Sequence, residues 1–318
     1  MKHFLIYTNR QKDRELATTK RICDFLRLKG KRVTVMAQGI CGSGEDSRQA
    51  PWRRAEGGAV WPYQDPGRDG DAERSRQRPE PGSSLEVPAD ADCIIVLGGD
   101  GTVLQAARLT KMLRVPIIGV NLGTLGYMTE VEVPNLEESL ERLIAGDYVQ
   151  ESRMMLGGRA TFADGRREEG WALNDIVISR SGPLQIIKFN IYVNGQFLND
   201  YSADGVIVTT PTGSTGYNLS AGGPLVEPGA RLIVLTPICP HSLNQRSIVL
   251  SPEDVIEIQI PARGESGNQN VEASFDGSHV IPLGTGDRLR IVRSEETTEF
   301  LKLGQGSFLD VLHRKMKE

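Results

Sequence analysis

The residues of this chain best suited to chemistry stand in one short run, Gly98-Gly99-Asp100-Gly101-Thr102. Before it, Cys93-Ile94-Ile95-Val96-Leu97 is an unbroken apolar stretch of buried-strand type; after it, Val103 to Arg108 reads as the first turns of a helix. A strand that ends in glycines and opens a helix suits phosphate binding. Backbone N–H groups at the helix start point at the anion, and glycine lets them approach closely. Asp100 is out of place in a simple phosphate cradle, because its carboxylate repels the anion. It needs another task, such as binding a metal or taking a proton from an attacking hydroxyl. The run therefore points to phosphoryl transfer. It is not the dinucleotide fingerprint, since Leu104 stands where the third Gly or Ala belongs, and no Gly-Lys-Ser/Thr follows to make a Walker A loop. An Asx-turn or helix N-cap is the plainer use of Asp100; the flanking glycines and Thr102 favour chemistry.

A second constellation runs from Asp204-Gly205 through Val206-Ile207-Val208 into Thr209-Thr210-Pro211-Thr212-Gly213-Ser214-Thr215-Gly216-Tyr217. An apolar strand feeds a dense set of hydroxyls. Thr212, Ser214, Thr215 and nearby backbone groups can hydrogen-bond a purine or a ribose, and Tyr217 can lie against a base. The plain alternative is a hydroxyl-rich turn between strands; Gly222-Gly223 downstream favour close backbone packing or ligand approach. Asn174-Asp175 lies between apolar Trp171-Ala172-Leu173 and Ile176-Val177-Ile178. Such polar residues are costly if buried unpaired, so they either interrupt the strand as a bulge or face a ligand. His241, alone after Thr236-Pro237-Ile238-Cys239-Pro240, reads first as structural, and Asp276-Gly277 reads as a turn. No His/Cys cluster has zinc spacing, so no structural metal is expected.

The elements around these groups follow from periodicity. Phe4 to Tyr7 is a first buried strand. Asn9 is a candidate cap for a helix whose face is Leu16, Thr19, Ile22, Cys23 and Leu26; Gly30 ends it and Arg32 to Met36 is the next strand. This β-α-β opening implies a parallel sheet. From about Gln38 to Asp90 the pattern collapses into Gly, Pro and charge, which reads as a mobile insertion. Trp52, Trp61 and Tyr63 within it are candidates for docking on the body or on another subunit. Val115 to Val120 is a further strand that ends in a second glycine-rich loop, Asn121 to Tyr127, and strand carboxyl ends are where ligands gather in such sheets. Leu136 to Ala145 is a helix closed by Gly146. Beyond Glu151 the texture turns to short strands and the tight-turn pairs Asp164-Gly165 and Asn194-Gly195, as in an all-β domain. Leu289 to Val292 is a short strand there, and Phe308 to Lys315 is a final helix that can return to the first domain.

Bulk numbers narrow the class. The 318 residues, 39% hydrophobic and 25% charged, suit one large domain or two ordinary ones. A net charge of −4, from 37 basic and 41 acidic residues, gives no electrostatic reason to expect nucleic acid or membrane as partner. Cys23, Cys41, Cys93 and Cys239 have no paired spacing, which suits thiols in a reducing cytoplasm. No apolar stretch is long enough for a signal peptide or a membrane span.

With both constellations in view, the chain resembles the NAD kinase family. The family's hallmarks are a Gly-Gly-Asp-Gly-Thr run and a downstream Asp-Gly…Thr-Pro-Thr-Gly-Ser-Thr-Ala-Tyr run, matched here by Gly98 to Thr102 and by Asp204 to Tyr217. The first run is shared with lipid kinases of the diacylglycerol and sphingosine type; the second is specific. Asn174-Asp175 and Thr236-Pro237-Ile238…Pro240-His241 match further family segments. Gly216 replaces the usual Ala, and the stretch of about 40–90 is not part of the core pattern. The resemblance implies a Rossmann-like α/β domain over 1–148 with 301–318, and a β-sandwich-type domain over 149–300, the last helix packing back on the first. It implies homodimers or homotetramers with the NAD site at a subunit contact, and transfer of a phosphoryl group from ATP, with Mg²⁺, to the adenosine-ribose 2′-hydroxyl of NAD. Under it Asp100 is the base, and the backbone from Gly98, Gly99 and Gly101 to Thr102 holds the donor phosphates. Asn174 and Asp175 hold the adenosine, and Asp204, Thr212, Thr215, Gly216 and Tyr217 line the NAD site with His241 beside it. The alternatives are a lipid kinase of the same superfamily, against which the Thr-Pro-Thr-Gly-Ser-Thr run argues, and a non-catalytic NAD-sensing module, for which Asp100 has no use.

Overall fold

The computed structural model describes residues 1–38, 62–63, 88, 90–110, 114–182, 186–241, 246–261, 267, 269–304 and 306–317. Nearly all of the expected insertion, with Cys41, Trp52 and Trp61, lies outside the described residues. The chain divides into two compact units, residues 1–150 with 299–318, and residues 151–298.

The first unit is α/β. In chain order it holds β1 (His3–Thr8), α1 (Ala17–Leu28), β2 (Arg32–Gln38), β3 (Pro62–Tyr63), β4 (Cys93–Gly98), α2 (Asp100–Thr110), β5 (Ile117–Asn121), β6 (Val131–Glu132) and α3 (Leu136–Ala145). The strands pair in parallel in the order β3-β2-β1-β4-β5-β6. Every residue of β1 and β4 is buried. Their apolar runs do not alternate because both faces of a parallel sheet are covered by helices. Thr19, Ile22, Cys23 and Leu26 form the buried face of α1, as their spacing predicts. The start of α1 differs from expectation. Glu15 and Leu16 hold φ of 55° and 56°, which breaks the helix before Ala17. Asp13, not Asn9, then serves the first turn, its carboxylate accepting from the Thr18 N–H (2.9 Å), the Thr19 N–H (3.0 Å) and the Thr19 hydroxyl (2.6 Å). α3 has the expected bounds, with Gly146 left-handed after it.

The second unit is antiparallel β. It is built from β7 (Val149–Thr161), β8 (Arg167–Ala172), β9 (Asp175–Arg180), β10 (Ile187–Val193), β11 (Gln196–Ala203), β12 (Gly205–Thr209), the short α4 (Tyr217–Ser220), β13 (Ile233–Ile238), β14 (Ile248–Leu250), β15 (Ile256–Gln259), β16 (Val271–Phe275), β17 (His279–Leu283) and β18 (Arg288–Lys302). One sheet has the order β14-β13-β12-β9-β16-β17; in the other β11, β10, β15 and β18 are neighbours. Ile176, Ile178, Val206 and Val208 from the first share a single buried cluster with Phe189, Ile191, Ile256 and Ile258 from the second. Alternate residues of two facing sheets thus make a sandwich core. Asn194 and Gly195, both at positive φ, make the tight turn between β10 and β11.

The expected short strand at Leu289 is the start of β18, whose polar stretch Ser294-Glu295-Glu296-Thr297-Thr298 hides its length from a reading by hydrophobicity. Residues 299–302 of β18 belong to the first unit, where Phe300 faces Ile117 in parallel register. So does α5 (Phe308–Lys315), begun by a reciprocal cap between Ser307 and Asp310. Among the described residues no helix is long and apolar enough to cross a membrane.

Candidate functional site

In the first unit, Asp100 opens α2 at the carboxyl end of β4. Its carboxylate is held from the second glycine-rich loop: Oδ2 accepts from the Tyr127 N–H and Oδ1 from the Met128 N–H, both at 2.9 Å. Gly126 permits this contact, since a Cβ there would collide with Asp100 Oδ1. An ionised carboxylate has about four acceptor positions, so two backbone bonds fix its direction and leave capacity for a hydroxyl proton. Burial first, and the Asp100 charge second, push the Tyr127 phenol above its ordinary pKa.

The glycine run divides its amides between two uses. Those of Thr102 (2.9 Å) and Val103 (3.1 Å) donate to the Gly99 carbonyl. Those of Gly99, Asp100 and Gly101 have no acceptor among the described residues and stand where a helix offers donors to an anion. Thr102 is buried and its hydroxyl takes a 3.4 Å bond from Asn9 Nδ2, so its side chain braces the loop after β1 against the run. That loop also carries Lys12, whose Nζ lies 3.0 Å from where a Cβ on Gly99 would stand and 3.8 Å from the same point on Gly123. A cavity of about 490 Å³ opens here, lined by Lys12, Asn121, Gly123, Leu125 and Glu132 among others.

In the second unit, β9 and β12 bring Asn174 and Asp175 to the hydroxyl-rich run. Asp175 faces Thr209 in antiparallel register. The Asn174 carbonyl accepts from the Thr210 N–H (2.8 Å) and the Thr209 hydroxyl (3.0 Å), and the Thr210 hydroxyl donates to the Leu173 carbonyl (2.7 Å). Gly213 lies so close to the Asn174 carbonyl that a Cβ would clash with it. Thr212–Thr215 is a 3₁₀ turn, in which Thr212 takes a 3.5 Å bond from Arg153 and the Thr215 hydroxyl donates to the Thr212 carbonyl at 3.4 Å. Gly216 places its Cα hydrogens towards Asn174 Nδ2, and Tyr217 is 47% exposed. The Asn174 side-chain oxygen is buried with no hydrogen-bond partner among the described residues. Such an acceptor is costly unless a ligand donor completes it. Asp175 is buried too, and burial, with the neighbouring Asp276 charge second, pushes its carboxyl up to about 7.

Asp204 and His241 stand apart from this cluster. Asp204 precedes β12 and pairs with Arg180 at 3.4 Å, and the His241 N–H donates to the Ser202 carbonyl at the same end of the strand. The five residues of β12 lie between them and Thr210, so six steps at ~3.3 Å per residue put Asp204 roughly 20 Å from Thr210. The two positions can meet one ligand only if it is extended along the strand.

Sequence reasoning passed over Asp276, Lys12 and Gly126. Asp276 is more than a turn residue: at φ 50° its carboxylate accepts from the N–H groups of Leu173 (2.8 Å), Asn174 (2.8 Å) and Asp175 (3.1 Å). An Asp-Gly pair after a strand signals a turn and hides such a use of the side chain. Lys12 had a signal in its position, a loop at the carboxyl end of a parallel strand.

Comparison with known proteins places the chain by family and fold. Residues 4–148 match the model of the ATP-NAD kinase N-terminal domain and residues 173–303 that of the ATP-NAD kinase C-terminal domain. An NAD kinase of Lachnospira eligens is 42% identical over 328 residues, covering 99% of this chain and 100% of the relative. One from Agathobacter rectalis is 42% identical over 316 residues, covering 99% of each. Among solved structures, yeast NADH kinase complexed with NADH superposes with a TM-score of 0.71 at 23% identity, covering 100% of this chain and 87% of that one. An Archaeoglobus fulgidus NAD kinase in complex with ATP gives 0.68 at 24%, covering 100% and 99%. With both family domains matched and full-length relatives above 40% identity, this chain belongs to the ATP-NAD kinase family.

Proposed function

We propose that this chain transfers the γ-phosphoryl group of ATP to the 2′-hydroxyl of the adenosine ribose of NAD, giving NADP. The observation that carries the reading is the placement of Asp100, a carboxylate aimed by two backbone amides at the start of a helix whose free N–H groups suit phosphate. In the reaction Asp100 orients the 2′-hydroxyl and takes its proton as the oxygen attacks phosphorus. The amides of Gly99, Asp100 and Gly101 hold the donor phosphates as charge moves onto the leaving oxygen. Asn174 and Asp175 hold the adenosine, with the buried Asn174 oxygen accepting from its exocyclic amine. Thr212, Thr215, Gly216 and Tyr217 complete the adenosine pocket, and Asp204 and His241 serve a more distant part of an extended dinucleotide.

Mg²⁺ enters with ATP as part of the substrate and neutralises the phosphates. No group of three or more His, Cys, Asp or Glu side chains that could hold it stands among the described residues. A homo-oligomer is supported by β14, an edge strand with Val249 57% exposed, a surface that a second copy can cover. The buried free thiols Cys23 and Cys93 suit a reducing cytoplasm.

The test is Asp100→Asn with NAD and Mg-ATP, scoring NADP formed. The amide keeps the shape and one acceptor oxygen. It should fold normally and lose about 10²–10⁴-fold in kcat, the range of a positioned general base. Near-normal turnover would sink the base assignment.

A further inference from the structure

We infer that Lys12 is a substrate-contacting residue of this kinase, its ammonium bonding the phosphate chain of the donor where the two glycine-rich loops meet. The inference rests on the kinase reading above and adds a residue to it.

The placement is built, not incidental. Lys12 sits in the loop that leaves β1, and Asn9 ties that loop down. The Asn9 N–H donates to the Leu97 carbonyl (3.0 Å), its side chain reaches Thr102 (3.4 Å), and its carbonyl accepts from the Lys12 N–H (3.1 Å). The loop is thereby fixed to the strand and the helix turn that flank Asp100. From this base the side chain extends over Gly99 and towards Gly123. Both positions lack a side chain where the ammonium lies; an alanine at Gly99 would place its methyl 3.0 Å from Nζ.

The charge around it is unbalanced. Among the described residues no carboxylate pairs with Lys12. Glu132, which lines the same cavity, is taken by Arg314 at 3.2 Å. The ammonium lies against Gly99, which begins the run Gly99-Asp100-Gly101 whose amides have no acceptor among the described residues. A cation held against a glycine run with free N–H donors suits a polyanion, and a lysine serves phosphate as a mobile point charge with three donors. An adenosine group has no need of that ammonium. As the transferring phosphoryl group loosens from the donor, negative charge grows on the oxygens of the diphosphate left behind, and Lys12 would stabilise that charge.

The experiment compares wild type with Lys12→Met and Lys12→Arg, varying ATP and NAD separately. Lys12 is exposed, so the variants should melt with wild type. Lys12→Met should raise KM for ATP at least tenfold and lower kcat, with KM for NAD within twofold; Lys12→Arg should recover part of the loss. Calorimetry with inorganic tripolyphosphate gives a readout independent of turnover, and Lys12→Met should bind it at least tenfold more weakly. Unchanged KM for ATP and unchanged tripolyphosphate binding would overturn the inference, as would a defect confined to NAD. Absence of NADP formation by the wild-type protein would instead sink the kinase reading itself.

Discussion

Three carboxylates of this chain show how surroundings assign a task. Asp100 is held by two amides and remains open to a further proton. Asp276 spends its oxygens on three amides and acts as a clamp. Asp175 is buried, with its carboxyl raised to about 7 by burial and then by the Asp276 charge. That shift has a consequence for stability. In the unfolded chain an aspartate titrates near ~3.9. Below that value Asp175 is neutral in both states and costs nothing. Between about 4 and 7 the unfolded chain ionises first, so folding loses stability as pH rises, and above 7 the full cost persists. Asp175→Asn removes the ionisation. Its melting temperature should therefore match wild type near pH 4 and exceed it at pH 8. A gap between the two that does not grow with pH would place the charge of Asp175 elsewhere.

The elements carry these side chains, and the tightest joint is between β9 and the turn after β16. Asp276 receives the N–H groups of the three residues at which β8 gives way to β9, and its own N–H donates to the Asp175 carbonyl at 3.0 Å. Asp276→Ala leaves those amides to water or to nothing, at about 1–3 kcal/mol for each that stays buried. Partial hydration should hold the total to about 2–4 kcal/mol in urea unfolding. Because Asn174 and Asp175 lose their anchor, KM for NAD should rise at least tenfold while KM for ATP stays within twofold; Asp276→Asn, which keeps one acceptor, should fall between. Equal loss towards both substrates would mean a general loosening instead. Much at this scale was legible in the sequence. β1, β4, β5, α3 and α5 follow from unbroken apolar runs, helical spacing and caps, because burial on one or both faces writes itself into residue types. The start of α1 was not, since it depends on the left-handed Glu15 and Leu16, which no side-chain pattern announces. Nor was the length of β18, where strand pairing overrides a polar composition. The glycine run and the hydroxyl run were legible as candidate sites; the clamp on Asn174-Asp175 was not, because it joins residues about a hundred positions apart.

On the scale of the molecule, each unit has its own core, and the chain crosses between them more than once before ending where it began. Phe4, Ile6, Ile95 and Leu97 share a buried cluster with Leu301 and Leu303, so the last strand segment is part of the first core. α5 is different. It buries none of its residues, yet the Phe308 ring centre lies 6.0 Å from that of Tyr127, and Lys315 Nζ lies 5.2 Å from the centre of the Tyr127 ring. Tyr127 is one of the two residues whose amides aim Asp100. Ending the chain after Gly304 therefore separates stability from function. The lost aromatic pair and cation–π contact are each worth about 0.5–1 kcal/mol at such a surface, and the exposed Arg314–Glu132 pair adds little. Melting should shift by only a few degrees, as a loss of about 1–2 kcal/mol implies. With Tyr127 no longer held from outside, the loop from Gly123 to Met128 gains freedom and Asp100 loses its fixed direction. The truncated protein should bind NAD as wild type does and show kcat several-fold lower. A truncation that melts early but turns over normally when folded would show that α5 guards the core and leaves the carboxylate alone.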